Sequence, residues 1–184
     1  MCVLLDAATS ESLDYDYIII GAGPAGVQMA YFLEMAGRKY VVYEATQYAA
    51  SFFKHLPRHN RLISINKKNN MFDEDEFNLR HDWNSLLSHN RSMRFTRYSD
   101  ELYPKASDLH RYINDFAERF DLNIHYNTKV TSVSKPAESF IVATDNGEQR
   151  TSRCVLMATG AVEENLPDSI EGMHLPTYGG YLTS

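Results

Sequence analysis

The chain has 184 residues, 43% of them hydrophobic and 23% charged, a globular balance sufficient for one domain with its own core. With 18 Lys+Arg against 24 Asp+Glu its net charge is −6, which excludes the clustered basic surface of a nucleic-acid binder. Its cysteines, Cys2 and Cys154, are too far apart in sequence for a CxxC redox pair or a thiolate metal cage.

Residues 1–14 are polar and acidic and read as a flexible N-terminal arm before a domain spanning 15–184. No cleavable leader is expected, because Asp6 interrupts the short apolar run that begins at Met1. Asp16–Ile20 is a β-branched apolar run and reads as a buried strand. Tyr17–Leu33 is nearly free of polar side chains, but Gly21, Gly23, Pro24 and Gly26 interrupt it short of a membrane span. No membrane insertion is expected. A helix follows through Val27, Ala30, Leu33 and Met35, with Gly37 placed for a left-handed cap. Tyr40–Glu44 is a second strand, so the segment is a βαβ unit whose strands run parallel.

Residues 45–103 are irregular, as in a segment that wraps a site or covers a sheet edge. Ser107 is a plausible N-cap for a helix that buries Leu109, Tyr112, Ile113, Phe116 and Phe120. A strand is expected over 123–130. It is followed by a hairpin turning at Asp145-Asn146-Gly147 and a buried strand over Cys154–Ala158. The fold class is therefore α/β, with a Rossmann-like central parallel sheet and a small antiparallel meander.

Chemistry concentrates at Gly21, Ala22, Gly23, Pro24, Ala25 and Gly26, a GxGxxG loop between a strand and a helix. Gly21 permits the turn, Gly23 lets backbone approach a pyrophosphate, and Gly26 lets helix and strand pack closely. Free amides and the helix dipole then face the phosphate charge. Glu44, with Ala45 beside it, stands 18 positions after Gly26, where a carboxylate accepts from a ribose diol and repels a 2′-phosphate. The loop alone leaves FAD and NAD both open. His55 and His59 have metal-ligand spacing, yet Pro57 lies between them and no metal site is expected. Asn90-Arg91-Ser92 is a glycosylation triplet of a kind that also arises by chance.

The order of elements through Ala158, Thr159 and Gly160 resembles the FAD domain of two-dinucleotide-domain flavoproteins. Pro57-Arg58-His59, Arg61–Lys67, Glu76–Leu87 and Tyr126-Asn127-Thr128 narrow the resemblance to flavin-containing-monooxygenase-like oxidoreductases. The resemblance implies FAD as cofactor, with Val130 offering its backbone to adenine and Ala158–Gly160 passing close to the dinucleotide. It also implies Asn66 near the isoalloxazine and Trp83 in a segment covering the cofactor, without assigning any catalytic residue. Ala49–Phe53 replaces the usual Gly-Gly-x-Trp, which argues against ordinary monooxygenase chemistry.

By the same resemblance, NADPH or NADH would bind a further domain, so the chain is expected to be an incomplete FAD-binding part. A role in endoplasmic-reticulum-associated degradation, with partners from that system and residence in the lumen, is implied likewise. The alternative is a truncated, non-catalytic flavin-fold module acting through protein partners.

Overall fold

The computed structural model describes residues 13–55, 59–68 and 81–160. Most of the arm, Pro57-Arg58, residues 76–80 of the resembling segments, and everything after Gly160 lie outside the described residues. Six strands form one sheet: β1 (Tyr15–Ile20), β2 (Tyr40–Tyr43), β3 (Ile124–His125), β4 (Val130–Ser134), β5 (Phe140–Thr144) and β6 (Gln149–Met157). Their order is β3-β2-β1-β6-β5-β4. The β3-β2-β1-β6 half is parallel and the β6-β5-β4 half antiparallel. The parallel centre and antiparallel meander expected from sequence are both present.

β1 lies at the centre because both its faces are apolar. Helix α1 (Pro24–Met35), the short α2 (Phe52–His55) and α3 (Ala106–Arg119) accompany the sheet. Ile19 points with Val42 and Leu156 into the larger core, beneath α1 and α3. Ile18 and Ile20 point the opposite way and meet Val41, Tyr43, Val142 and Val155. A strand covered on both faces needs a continuous apolar run, and that is what this one has. An aromatic cluster joins the two helices: Tyr31 lies edge-on to Phe116 and Phe120, at 5.5 and 4.8 Å between ring centroids.

Helix ends follow local chemistry. Gly37, at φ +61°, ends α1: its N–H reaches Glu34 O and that of Arg38 reaches Leu33 O, a Schellman motif. Asp121, at φ +48°, closes α3 by the same two bonds, to Glu118 and Ala117. The start of α3 differs from expectation. The cap is Lys105 instead of Ser107, because Lys105 is held extended in a bridge to Arg61 while Ala106 N–H donates to Asn60 O.

The expected strand over 123–130 is two strands. Ile124–His125 pairs with β2, the left-handed Asn127 (φ +52°) breaks the run, and Val130 begins β4 at the other edge of the sheet. Gln149–Arg153 and Cys154–Met157, by contrast, form one continuous strand. Ser152 pairs with Phe140 on one side and Tyr15 on the other, where antiparallel pairing gives way to parallel.

Asp14 fastens that junction. Its Oδ2 accepts from Thr151 N–H at 2.7 Å and Thr151 Oγ1 at 2.9 Å, and these bonds hold its carboxyl below the ordinary 3.8. A depressed carboxylate stabilises the fold above its unfolded value and stops doing so as pH falls through the folded one. Asp14→Asn is therefore expected to be less stable than the parent at neutral pH, with the gap closing below pH 3.8. Urea melts at a series of pH values check this; a gap independent of pH would exclude the carboxylate as its source.

Candidate functional site

The C-terminal ends of β1, β2 and β6 converge on the glycine loop. Gly21, at φ +100°, donates its N–H to Tyr43 O at 2.8 Å, and Ala158 N–H donates to Ile20 O at 2.8 Å. A Cβ on Gly21 would lie 2.7 Å from Ala158 O, and one on Gly26 would lie 2.0 Å from Gly21 O. Both glycines are demanded by the chain's own packing. Gly23 is different. Its backbone is extended (φ −69°, ψ 179°), and an added Cβ would meet nothing closer than Ala158 O at 3.8 Å. Neither conformation nor packing requires glycine there; its Cα faces open space.

That space is bordered by the start of α1. Pro24 and Ala25 are exposed, and Val27 N–H, bonded to Gly23 O at 2.9 Å, closes the first turn. The amides of Ala25 and Gly26 precede it and have no carbonyl four residues back within the helix. With the positive end of the helix dipole behind them, they suit an anion.

Glu44 sits just past β2 and is buried, at 6% exposure. Its Oε2 accepts from Ala22 N–H at 2.7 Å, and its Oε1 accepts from Thr46 N–H and Oγ1 at 2.9 and 2.8 Å. Those bonds use three of about four acceptor positions on a carboxylate, leaving one for a ligand hydroxyl. Burial, followed by the charge of Glu44, raises the Tyr126 phenol above its ordinary range. Thr128 N–H donates to Glu44 O and Asn127 N–H to Thr46 O, so Val130 starts β4 two residues from a direct tie to Glu44. The loop, Glu44, the exposed Ala45, the start of β4 and Ala158–Gly160 are thus brought together. Thr159 and Gly160 are exposed beyond Ala158.

Sequence reasoning missed Asn114 on α3. Its side chain clamps Ala49 at both ends: Ala49 N–H donates to Oδ1, and Nδ2 donates to Ala49 O, each at 3.0 Å. The neighbouring Ala50 N–H donates to Ala22 O at 2.9 Å, so α3 supports the glycine loop through two residues. Spacing along the helix gives no sign of this, because the partner is a backbone 65 residues away.

A cavity of about 240 Å³ starts at Pro24 and runs past Phe53, Ile63, Trp83 and Asn84. Trp83, the chain's single tryptophan, is 83% exposed along it. Leu86, in the wall, donates its N–H to Tyr112 Oη at 2.7 Å, and burial raises that phenol far above its ordinary range. A larger cavity of about 600 Å³ between His59, Arg61 and Tyr103 shares only Leu62 and Ile63 with the first. Asn66 does not border either. It is buried, bonded through its N–H to Leu102 O and through Nδ2 to Ser99 O, and its Oδ1 has no partner.

Among the described residues no group of three His, Cys, Asp or Glu could hold a metal ion, and no helix is long and apolar enough to cross a membrane. His59, one of the two histidines with ligand spacing, is exposed and accepts Arg61 N–H at its Nδ1.

Residues 18–181 match the family model described as pyridine nucleotide-disulphide oxidoreductase. The chain is 45% identical over 160 residues to FAD-dependent oxidoreductase domain-containing protein 2 of Mus musculus. The alignment takes in 83% of this chain and 24% of that protein. The chain therefore spans about a quarter of that relative's length. In three dimensions it is similar to a flavin-containing monooxygenase from Stenotrophomonas maltophilia, with TM-score 0.63 and 23% identity over 79% of this chain and 38% of the other. It is also similar to OTEMO in complex with FAD and NADP, with TM-score 0.62 and 21% identity over 89% and 29%. At those identities the structural likeness establishes the fold. The family's description names disulphide chemistry, which needs two adjacent thiols, whereas these 184 residues have only Cys2 and Cys154. The glycine loop, the acidic end of β2 and the extent of the family match agree: the chain belongs to the pyridine nucleotide-disulphide oxidoreductase family.

Proposed function

We propose that this chain is the FAD-holding part of a monooxygenase-like oxidoreductase. The observation that carries the proposal is Gly23, a glycine that neither its backbone nor its packing explains, set beside unpaired helix-start amides. The space a side chain would fill there suits a pyrophosphate. The first-turn amides would bind it, Glu44 would accept from the ribose, and the backbone at Val130 would meet the adenine. Ala158–Gly160 would pass beside the dinucleotide, and the cavity from Pro24 to Trp83 would take the ring end. Asn66 borders neither cavity and gives its donors to Ser99 O and Leu102 O, so it is assigned no contact with the ring. FAD, when bound, supplies hydride and electron transfer; the chain supplies position and electrostatics. Reduction by NADPH or NADH would use a further domain, and substrate turnover belongs to that longer protein. OTEMO, whose fold this chain shares, is a protein in complex with both FAD and NADP, in keeping with a flavin partner here.

Gly23→Ala tests the cradle. It is expected to melt with the parent yet bind ADP about tenfold or more weakly, a loss of about 1.4 kcal/mol or more. Calorimetry measures both, and unchanged ADP affinity would sink the cradle. FAD, and not ADP, is expected to quench the emission of Trp83, because only the ring end would reach the cavity that Trp83 lines.

The working compartment we infer is the lumen of the endoplasmic reticulum, in association with the degradation system there. The resemblance carried by Pro57-Arg58-His59, Arg61–Lys67, Glu76–Leu87 and Tyr126-Asn127-Thr128 is what supports this reading. Protease protection of the tagged protein in sealed microsomes tests it, and digestion without detergent would count against it.

A further inference from the structure

We infer that Asn90 is an N-linked glycosylation site, an inference that rests on the luminal reading above. Asn90-Arg91-Ser92 is the sole Asn-x-Ser/Thr triplet in the 184 residues. In the fold it forms a surface turn: Met93 N–H donates to Asn90 O at 2.9 Å, and Ser88 Oγ donates to the same oxygen at 3.1 Å. His89, Arg91 and Ser92 are exposed, and Asn90 is partly so. Asn90 Oδ1 accepts from Ser92 N–H at 3.0 Å and from Ser92 Oγ at 2.7 Å. The Nδ2 amide, the atom that would be modified, makes no hydrogen bond among the described residues.

These bonds assign the two ends of the side chain different tasks. The donors on Oδ1 stabilise the negative charge that develops on oxygen as Nδ2 gives up a proton. The co-reactant is an oligosaccharide on a polyprenyl pyrophosphate. A bond forms between Nδ2 and the anomeric carbon while the bond from that carbon to the phosphate oxygen breaks. The polyprenyl pyrophosphate leaves, the proton passes to a base of the transferase, and nothing is oxidised or reduced.

The position also suits a bulky group. His89 bonds to Tyr31 through both its backbone N–H and its ring Nδ1, and anchors the turn on α1. Tyr31 lies seven residues along α1 from Pro24, roughly 10 Å at 1.5 Å per residue. Met93, which ends the turn, is buried, and its carbonyl accepts from Tyr112 Oη. A glycan on Asn90 would leave the protein well away from the helix start that faces the phosphate, so modification and ligand binding are compatible.

The test uses the full chain behind a cleavable secretory leader, with a second acceptor triplet appended at its C-terminus, translated with microsomes. The expected product carries two glycans, both removed by peptide N-glycosidase. Asn90→Gln and Ser92→Ala are each expected to carry one. A parent chain glycosylated on the appended triplet alone would overturn the assignment. The natural protein from its own cells separates the two readings. If it lacks the glycan while the leader-driven chain carries both, the luminal reading fails and Asn90 stands as an acceptor.

Discussion

Gly26→Ala is expected to be the most destabilising single-methyl change in the glycine loop. The new Cβ would sit 2.0 Å from the backbone oxygen of Gly21, and no side-chain rotation can relieve that contact. α1 would have to move off β1, and Val27, Ala30 and Tyr31 would lose their packing on Ile19. Overpacking of this kind costs about 3 kcal/mol, roughly 6–12 °C in Tm for a chain of this length. Thermal melts followed by circular dichroism measure it. A variant that melts with the parent would mean that helix and strand do not approach as closely as described. Gly23→Ala is the control: the same added methyl, moved three positions, acts on folding at residue 26 and on ligand at residue 23.

Glu44→Gln is expected to have the largest effect on binding. The carboxylate faces donors on both oxygens, Ala22 N–H on one side and Thr46 N–H and Oγ1 on the other. A carboxamide has one acceptor oxygen, so its NH₂ must point at one of those donors. A charge-assisted hydrogen bond worth about 1.5–3 kcal/mol is lost, and the loop amide or the Thr46 amide is left unsatisfied. ADP affinity should fall roughly 10- to 150-fold. Unlike Gly23→Ala, this change should also lower Tm, since Glu44 ties the loop to the end of β2 in the ligand-free chain. Isothermal titration with ADP, paired with a melt, measures both. Loss of binding without loss of stability would mean that the carboxylate serves only the ligand.

What could be read from sequence was what depends on neighbours in the chain. The β-branched run of β1, the glycine spacing, the left-handed cap at Gly37 and the turn at Asp145–Gly147 each arise from local sterics. The joined strand β6 and the divided strand over 124–134 were not legible, because tertiary partners decided both. Gln149–Ser152 pairs with β5 and Ser152–Met157 with β1, and no local signal reports that one strand serves both. Asn127 takes a left-handed conformation at a step that carries the chain from one sheet edge to the other. At the site, Glu44 was legible from its spacing after Gly26. Its role in holding Ala22 was not, and neither was the clamp of Asn114 on Ala49, since backbone partners leave no trace in side-chain patterns.

The pairing of β1 with β6 also governs how the molecule is made. Asp14 and Thr151 are separated by 137 positions, so the central strand emerges from the ribosome long before its partner. Until β6 arrives, Ile18, Ile19 and Ile20 have one open edge and an incompletely covered face. Contacts of such long sequence separation form late and slowly, and an unpaired apolar edge is an invitation to association. The early βαβ unit can collapse on its own, but the native sheet closes only after nearly all the described chain has been synthesised. The glycine loop shares that delay, because Ala158 lies just past β6 and packs against Gly21 and Gly26. Completion of the fold and completion of the phosphate cradle are therefore the same late event.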